Sequence, residues 1–267
     1  MSGRPAGALT VAIRGKTYPA QAGKAAHEAL SALEFDVPDG QFVCLVGPSG
    51  CGKTTLLNLI GGLDAGYDGT IDHGGPASDR RIGFMFQAPR LMPWLTVLEN
   101  VRLVAISPAD SDRARELLIH MGLADVLDAY PGTLSGGMQR RVALARAFAI
   151  APRLLLLDEP FVSLDQPIAE RLRTLLLELW QARPTTVLFV THDVREALSL
   201  ADRILFLSAT PGRLVHDMTV SLPRPRHIDD PAVEAERRCL LAARPGLLAG
   251  LGEVTDGQTS GRRSAGP

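Results

Sequence analysis

The stretch G-P-S-G-C-G-K-T runs from Gly47 to Thr54, with Thr55 directly behind it. It matches the phosphate-loop pattern G-x-x-x-x-G-K-[S/T], which carries meaning only between a strand and a helix. The apolar run 42–46 precedes it, and apolar residues at helical spacing follow it from Leu56 to Ile60. A glycine-rich turn with a chance lysine would lack both neighbours. The sequence therefore predicts a nucleoside triphosphate site.

Each part of this loop suits the binding of phosphate. Glycines let the backbone N–H groups turn inward around the anion. The N-terminus of the following helix adds a positive dipole end. Lys53 is expected to reach the β- and γ-phosphates, and the Thr54 hydroxyl is expected to take one Mg²⁺ position. The loop residues predicted to bind the nucleotide are Gly47, Pro48, Ser49, Gly50, Cys51, Gly52, Lys53, Thr54 and Thr55.

Composition narrows the class of protein. A chain of 267 residues, 46% hydrophobic and 21% charged, can bury a large core. Its net charge of −1 gives no sign of a nucleic-acid partner. Three cysteines without metal or disulfide spacing fit a reducing, cytoplasmic setting. No apolar run approaches the ~20 residues of a membrane-spanning helix, and the start lacks a signal-peptide core. We therefore expect any work at a membrane to go through a partner.

The order of elements predicts an α/β fold. Leu9–Ile13 and Leu33–Val37 alternate as strands, with a short strand near Thr70 and Ile71. Apolar runs that alternate with helical segments indicate further strands. These runs lie at 81–87, 154–157, 186–191 and 204–207, and the last of them is expected to be the last strongly apolar strand.

Residues 96–129 favour helices rather than more sheet. Ser111 or Asp112 is the expected cap of a helix whose buried face holds Ala114, Leu117, Leu118 and Met121. We expect a helical subdomain at about 90–132, inserted into the α/β domain. Residues 1–8 are expected to be flexible. The extension 216–267 is expected to hold one helix from about Asp230 to Ala243 and a disordered end from 253 to 267.

Polar residues follow several of the apolar strands. In open α/β sheets, ligands bind at the carboxyl ends of the strands, so these side chains are expected to converge on one nucleotide. Asp158 is expected to hold Mg²⁺ and Glu159 to act as general base. The bland alternatives are a turn cap for Asp158, outer-shell support for Glu159, a solvated amide for Gln87 and a cap for His192. Tyr18 suits either adenine stacking or packing.

Six motifs occur in order along the chain: G-P-S-G-C-G-K-T-T, F-Q at 86–87, L-S-G-G-M-Q at 134–139, L-L-L-L-D-E-P at 154–160, S-L-D at 163–165 and T-H-D at 191–193. Together they resemble the ATP-binding subunit of an ABC transporter over residues 9–215. L-S-G-G is the specific motif, because other phosphate-loop ATPases lack it. The resemblance implies an ABC-type phosphate-loop ATPase core, a mixed sheet flanked by helices, with an inserted helical subdomain and a small N-terminal antiparallel β part.

The resemblance also implies a head-to-tail homodimer that holds two ATP molecules at its interface. The signature residues of one subunit would face the ATP of the other, with Ser135 as the N-cap of a helix aimed at the γ-phosphate. The signature residues are Leu134, Ser135, Gly136, Gly137, Met138 and Gln139, and the D-loop residues are Ser163, Leu164 and Asp165. The implied catalytic residues are Lys53, Gln87, Glu159 and His192. The implied Mg²⁺ ligands are Thr54, Gln87 and Asp158, and Tyr18 is the implied adenine platform.

A narrower resemblance involves L-M-P-W-L-T-V-L-E-N-V at 91–101 and A-D-R-I-L-F-L-S from 201, which are similar to nitrate/sulfonate/taurine-type importers. That class implies a transmembrane permease as partner, an extracytoplasmic solute-binding protein acting indirectly, and a place on the cytoplasmic side of the inner membrane. Trp94, between two prolines, is then either a permease contact or an anchor of the insert. Val162 departs from the glycine usual in those relatives, which leaves communication between the two ATP sites open.

Alternative functions remain at the level of sequence. The chain could be a soluble ABC-type ATPase that acts in DNA repair or on ribosomes, although it has neither a long coiled coil nor a second ATPase unit. It could also be a regulatory module without turnover, which the intact Lys53, Asp158, Glu159 and His192 disfavour. Export instead of import, and the identity of the solute, depend on the partner subunits.

Overall fold

The computed structural model describes residues 9–20, 25–76, 80–183 and 185–251. The expected flexible start at 1–8 and disordered end at 253–267 lie outside the described residues. The strands in the described ranges are β1 (Leu9–Tyr18), β2 (His27–Val37), β3 (Phe42–Val46), β4 (Asp68–Asp72), β5 (Ile82–Met85), β6 (Leu154–Asp158), β7 (Thr186–Thr191), β8 (Arg203–Leu207) and β9 (Leu214–Thr219). The α-helices there are α1 (Lys53–Ile60), α2 (Val97–Arg102), α3 (Pro108–His120), α4 (Gly136–Ala149), α5 (Gln166–Ala182), α6 (Val194–Leu200) and α7 (Pro231–Ala243).

The larger sheet has six strands in the order β5-β6-β7-β3-β8-β9. The first five are parallel, and β9 runs antiparallel to β8. Every residue of β3, β6 and β7 is buried, because an apolar core lies on each face of the sheet. Burial on both faces explains why these strands are continuous apolar runs instead of alternating ones. The predicted mixed sheet flanked by helices is confirmed.

A second, three-stranded antiparallel sheet in the order β2-β1-β4 confirms the predicted antiparallel β part. Along β1, Leu9, Val11 and Ile13 alternate inward and share a core with Leu56 and Ile60 of α1. Helix α1 is therefore held between the two sheets, which fixes the glycine loop at its start. The third strand, β4, comes from after α1, so this small sheet is not continuous in sequence.

Helices α2 and α3 lie between β5 and β6 in the chain and pack on α4. The predicted helical face is confirmed, since Ala114, Leu117, Leu118 and Met121 are all buried. The predicted cap is wrong. Ser107 caps α3 by accepting from the N–H of Asp110, with Pro108 at the first helical position. A proline pre-set for the first turn moves the helix start four residues earlier than the expected cap at Ser111.

The predicted strand at 204–207 is confirmed as β8, the last strongly apolar strand, but the sequence analysis missed the strand after it. Strand β9 pairs with β8 and runs from Leu214 to Thr219, across the domain edge expected at 215. Its side chains are half-buried or exposed, because it lies at the edge of the sheet. Arg203 donates from Nε to Asp217 Oδ1 at 2.8 Å and holds the two strands together. An edge strand with polar residues gives no clear apolar period in sequence.

The C-terminal segment packs on the helix that follows β7. The predicted helix after Asp230 is confirmed as α7, and Val233 of this helix is fully buried in the large core. Arg226 donates to the carbonyl oxygens of Leu198 and Ala201 at 2.7 and 2.8 Å, at the end of α6. Among the residues that the structure describes, no helix is long and apolar enough to cross a membrane.

The cap of α3 gives a direct test of the helix boundary. Ser107→Ala removes the acceptor for the N–H of Asp110, so we expect a loss of about 1 kcal/mol in the free energy of unfolding. Ser111→Ala, the matched control inside the helix, should change stability little. Urea unfolding followed by circular dichroism measures both variants. A larger loss in the Ser111 variant would contradict the observed boundary.

Candidate nucleotide site

The glycine loop joins β3 to α1 and needs glycine at two positions. Gly50 and Gly52 have φ angles of +80° and +96°, a region that residues with a Cβ rarely adopt. A Cβ on Gly52 would also lie 2.7 Å from the carbonyl oxygen of Ala29 and 2.7 Å from Cδ2 of Leu30. The start of β2 thus packs directly against the loop at Gly52 and leaves no room there for a side chain.

Lys53 places a positive charge inside this loop. Its side chain is only 5% exposed, and Nζ donates to the carbonyl oxygens of Gly47 at 2.8 Å and Pro48 at 2.9 Å. The nearby Cys51 is buried, and burial raises the pKa of its thiol, so it packs as a neutral side chain. The loop therefore surrounds one ammonium group with backbone, as a phosphate cradle requires.

Thr54 and Asp158 bring two kinds of oxygen together. The Thr54 hydroxyl donates to the Asp158 carboxylate, with distances of 3.1 Å to Oδ1 and 3.0 Å to Oδ2. Asp158 is 4% exposed, and burial raises its pKa, opposed by the hydrogen bond from Thr54 and the charge of Lys53. Mg²⁺ prefers such oxygen ligands and is commonly bound by one or two carboxylates together with phosphates. The residues present fit this ion.

Glu159 and His192 face each other at the ends of neighbouring strands. His192 Nδ1 lies 3.7 Å from Glu159 Oε2, and the histidine is largely exposed. The backbone of Glu159 has a φ of +43°, and its N–H donates to the carbonyl oxygen of Val190 at 3.1 Å. A left-handed conformation at a non-glycine residue is held by surrounding structure and turns this side chain toward the cleft.

One cleft, of about 760 Å³ including space open to solvent, brings together nine of the predicted residues from distant parts of the chain. The predicted residues that line it are Tyr18, Ser49, Gly50, Gly52, Lys53, Thr54, Thr55, Gln87 and Glu159. His27 and Ala29 of β2 also line it, and the sequence analysis missed them. They belong to an ordinary strand pattern, so no local signal marked them. A second cleft contains His192 and shares Glu159 with the first.

Tyr18 ends β1 at the edge of the first cleft. Its hydroxyl donates to Asp64 Oδ2 at 2.6 Å, and Lys16 Nζ lies 4.6 Å from the centre of its ring. The pKa of Tyr18 is raised, first by burial and then by the hydrogen bond to Asp64. Lys16 and Asp64 therefore fix the orientation of the Tyr18 ring at the edge of the cleft. The sequence analysis missed both residues.

The signature residues lie away from this cleft. Ser135 caps α4 as predicted, since its hydroxyl accepts from the N–H of Met138 at 3.3 Å. Gly136 is exposed, whereas a Cβ on Gly137 would lie 2.8 Å from Cγ2 of Ile168. Gln139 Nε2 donates to the carbonyl oxygen of Pro131 at 3.0 Å and braces the turn. The residues at the start of α4 therefore do not line the subunit's own cleft.

The D-loop segment follows Glu159 and lines the second cleft with Val162, Ser163 and Leu164, while Asp165 is the N-cap residue before α5. Its left-handed residue is Ser163, with a φ of +60°, and not Val162. The absence of glycine at 162 therefore demands no unusual backbone at that position. The valine contributes its carbonyl oxygen, which accepts from Arg140 at 2.8 Å.

The family model for ABC transporters matches residues 30–162. Aliphatic sulfonates import ATP-binding protein SsuB 2 of Burkholderia cenocepacia (strain HI2424) is 44% identical over 218 residues, which cover 80% of this chain and 81% of that protein. The chain belongs to the ABC transporter family. Aliphatic sulfonates import ATP-binding protein SsuB of Bacillus subtilis (strain 168) is 39% identical over 240 residues, which cover 88% of this chain and 93% of the Bacillus protein. Bicarbonate transport ATP-binding protein CmpD of Synechocystis sp. is 40% identical over 235 residues, which cover 83% of this chain and 82% of CmpD.

Solved structures agree with this assignment. The dimeric structure of a bacterial ABC transporter cassette matches with a TM-score of 0.69 and 33% identity, covering 80% of this chain and all of the other. The same cassette in a post-hydrolysis state, bound to ADP and Pi, matches with a TM-score of 0.68. The resemblance to sulfonate-type importer ATPases and the ABC fold expected from sequence are confirmed, and the protein is an ATPase of this family.

The buried carboxylate of Asp158 gives a prediction about stability and pH. Because its folded pKa is raised, the folded state holds this proton more readily than the unfolded state, and stability falls as pH rises through the folded pKa. Asp158→Asn removes the charge, so we expect a higher melting temperature than that of the unmodified protein at pH 7.5. The difference should shrink as the pH approaches the ordinary range of aspartate.

Thermal unfolding at several pH values measures this effect. Asp128→Asn, at an exposed aspartate, is the matched control and should leave the melting temperature nearly unchanged throughout. A melting temperature for Asp158→Asn that is equal to or lower than the unmodified protein's at pH 7.5 would show that the buried charge costs no stability.

Proposed function

We propose that this protein is the ATP-hydrolysing subunit of an ABC importer for a small solute. The observation that carries the proposal is the cleft where Lys53, Thr54, Gln87 and Glu159, from distant parts of the chain, lie together. The relatives named for sulfonate and bicarbonate import support the direction of transport and the class of solute. Small anionic solutes are the class that we infer for this chain.

The cleft residues divide the work of hydrolysis between them. Lys53 neutralises charge on the β- and γ-phosphates from inside the loop. Thr54 and Asp158 would hold Mg²⁺, with Gln87 offering its amide oxygen; when bound, this ion offsets negative charge on the phosphates. Glu159 accepts a proton from the attacking water, as a general base. His192, 3.7 Å from Glu159, orients that carboxylate or contacts the γ-phosphate.

The adenine end of the nucleotide has its own proposed platform. The ring of Tyr18 lies at the cleft wall next to His27 and Thr55. Because its hydroxyl is bound by Asp64, the ring is kept in one orientation before the base arrives. An aromatic face held in this way suits stacking on adenine.

A complete ATP site requires a second copy of the chain. The signature residues lie outside the subunit's own cleft, and the N-terminus of α4, a helix of 14 residues, is capped by Ser135. In a head-to-tail homodimer this positive helix end meets the γ-phosphate held by the other subunit. ATP then joins the two subunits, and its hydrolysis weakens the contact. The dimeric state of the solved cassette supports this arrangement.

The proposed contact with a transmembrane permease lies on the helical insert, at about 90–132. Trp94 is 70% exposed, and Leu103 and Ile106, further along the same insert, are exposed as well. Asn100 is fully buried and binds the backbone of Met92 through both its amide nitrogen and its oxygen, which holds the Trp94 turn outward. Exposed aromatic residues are typical of contact sites. We infer a place at the cytoplasmic face of the membrane, with a solute-binding protein acting through the permease.

Glu159→Gln tests the proposed hydrolysis. The amide cannot accept the proton of the attacking water, so we expect ATP binding to persist, phosphate release to fall by about 100-fold or more, and an ATP-bound dimer to accumulate. Size-exclusion chromatography with ATP detects the dimer. Lys53→Ala is the control and should give no dimer, because it removes a phosphate contact. Unchanged turnover in Glu159→Gln would exclude this residue as the base.

The same variant identifies the partner. Tagged Glu159→Gln protein, incubated with ATP and solubilised native membranes, is expected to retain a polytopic membrane protein in near-stoichiometric amount, which mass spectrometry then identifies. Retention of ribosomes, DNA-repair proteins or only a second copy would support a soluble ATPase instead.

Trp94→Ala tests the permease contact. We expect the ATPase activity of the isolated protein to stay within about twofold, because Trp94 is exposed and lines neither cleft, while binding to the permease weakens by more than 2 kcal/mol. Leu248→Ala, at an exposed apolar residue near the other end of the chain, should weaken neither. Equal losses of activity and binding would make Trp94 an anchor of the insert.

A further inference from the structure

Arg140 is a buried arginine on the signature helix α4. It is 9% exposed, and its guanidinium donates to three backbone carbonyl oxygens: Gln87 at 3.0 Å, Pro160 at 2.6 Å and Val162 at 2.8 Å. No carboxylate in the described ranges forms an ion pair with it. Burial lowers the pKa of this arginine without making it neutral. The carbonyl groups therefore carry its stabilisation.

The three carbonyl groups belong to two segments that border the first cleft, namely the turn at Gln87 and the segment after Glu159. Gln87 lines the first cleft, and Pro160 directly follows Glu159. Val162 directly precedes the left-handed Ser163. One planar guanidinium fork spans both segments, which a single ammonium group cannot do with the same geometry. Arg140 thus fixes the distance between the Gln87 turn and the start of the D-loop.

Arg140 also lies on the same rigid element as the signature serine. It is five residues beyond Ser135, which is about 7.5 Å along a helix axis. Any rotation of α4 that moves Ser135 toward a partner subunit therefore pulls on the carbonyl groups of Gln87 and Pro160. The N-terminal end of α4 is therefore linked, through the hydrogen bonds of Arg140, to the backbone beside the subunit's own cleft.

A second arginine on α4 strengthens this attachment. Arg146 donates to the carbonyl oxygens of Pro89 and Arg90, both at 2.8 Å. Arg90 has a φ of +47° and places its guanidinium 4.0 Å from the ring centre of Phe86. The turn after Gln87 is therefore fastened to α4 at both of its ends.

We propose that Arg140 is a positioning residue that couples the signature end of α4 to the orientation of Gln87 and Glu159, so that docking of the second subunit aligns the hydrolytic groups. The inference rests on the proposed function as a dimeric ATPase and deepens it. Arg140 touches neither nucleotide nor water in this scheme and acts through the two segments that it holds.

Arg140→Met removes the fork while keeping the length of an apolar side chain. We expect the affinity of the monomer for a fluorescent ATP analogue to stay within about twofold, because the glycine loop is untouched. We expect kcat to fall by about 10-fold to 100-fold, since a displacement near 1 Å at the reacting groups costs this much. Arg140→Lys retains a donor and should recover part of kcat.

Arg141→Met is the matched control. Arg141 neighbours Arg140 on α4 but donates to the carbonyl oxygen of Met121, within the helical part alone. We expect its kcat to stay close to that of the unmodified protein. Melting temperatures of all variants give the folded fraction at the assay temperature, and kcat is compared per folded molecule.

Two results would overturn the proposal: unchanged kcat in both Arg140 variants, or a fall in kcat that only follows the loss of folded protein and nucleotide affinity. A further measurement separates this failure from failure of the proposed function. If Glu159→Gln alone forms no ATP-dependent dimer, the dimeric ATPase scheme fails. If it dimerises and the double variant Glu159→Gln with Arg140→Met dimerises equally, with unchanged kcat in Arg140→Met, only the coupling role fails.

Discussion

The parallel pairing of β3 with β7, and of β7 with β6, is the constraint on which the rest of the structure depends. Val46 lies opposite Thr191, and Asp158 lies opposite Val190, so three strands end at one edge of the sheet. The glycine loop, His192 and Glu159 follow these strand ends directly. A slip of one residue would turn every buried side chain to the opposite face. Because both faces are apolar cores, the burial that stabilises the sheet also fixes the geometry of the cleft.

The helical part depends on the same edge through α4. The signature residues of this helix do not line the cleft. Instead, Arg140 and Arg146 of the helix donate hydrogen bonds to the backbone around the cleft. A buried guanidinium without a carboxylate is stable only if its donors are satisfied, and the carbonyl groups of two turns satisfy them. The same hydrogen bonds therefore stabilise the fold and connect α4 to the turns that border the cleft.

The segment that ends β6 and follows it also contains features that reduce stability. Asp158 is buried with a raised pKa, and Glu159 and Ser163 both adopt left-handed backbone conformations without being glycine. Each of these costs free energy that a repacked core could recover. Their concentration within six residues of β6 is expected where oxygen ligands and a general base must be fixed before the nucleotide arrives.

The sequence by itself determined the glycine loop, the buried strands and the cap at Ser135, because each depends on neighbouring residues, whose patterns are read within one turn or strand. It also singled out Asp158, Glu159 and His192 as candidate site residues by their places at the ends of apolar strands. The cap at Ser107 is equally local, and the sequence analysis missed it although Pro108 directly follows it. Only the tertiary structure decided the edge strand β9, the support of Tyr18 by Asp64 and the three contacts of Arg140. Each of these features depends on contacts between residues that are distant in the chain. The apolar periodicity of a sequence indicates which residues are buried within one element, but not which distant residue a polar side chain will contact.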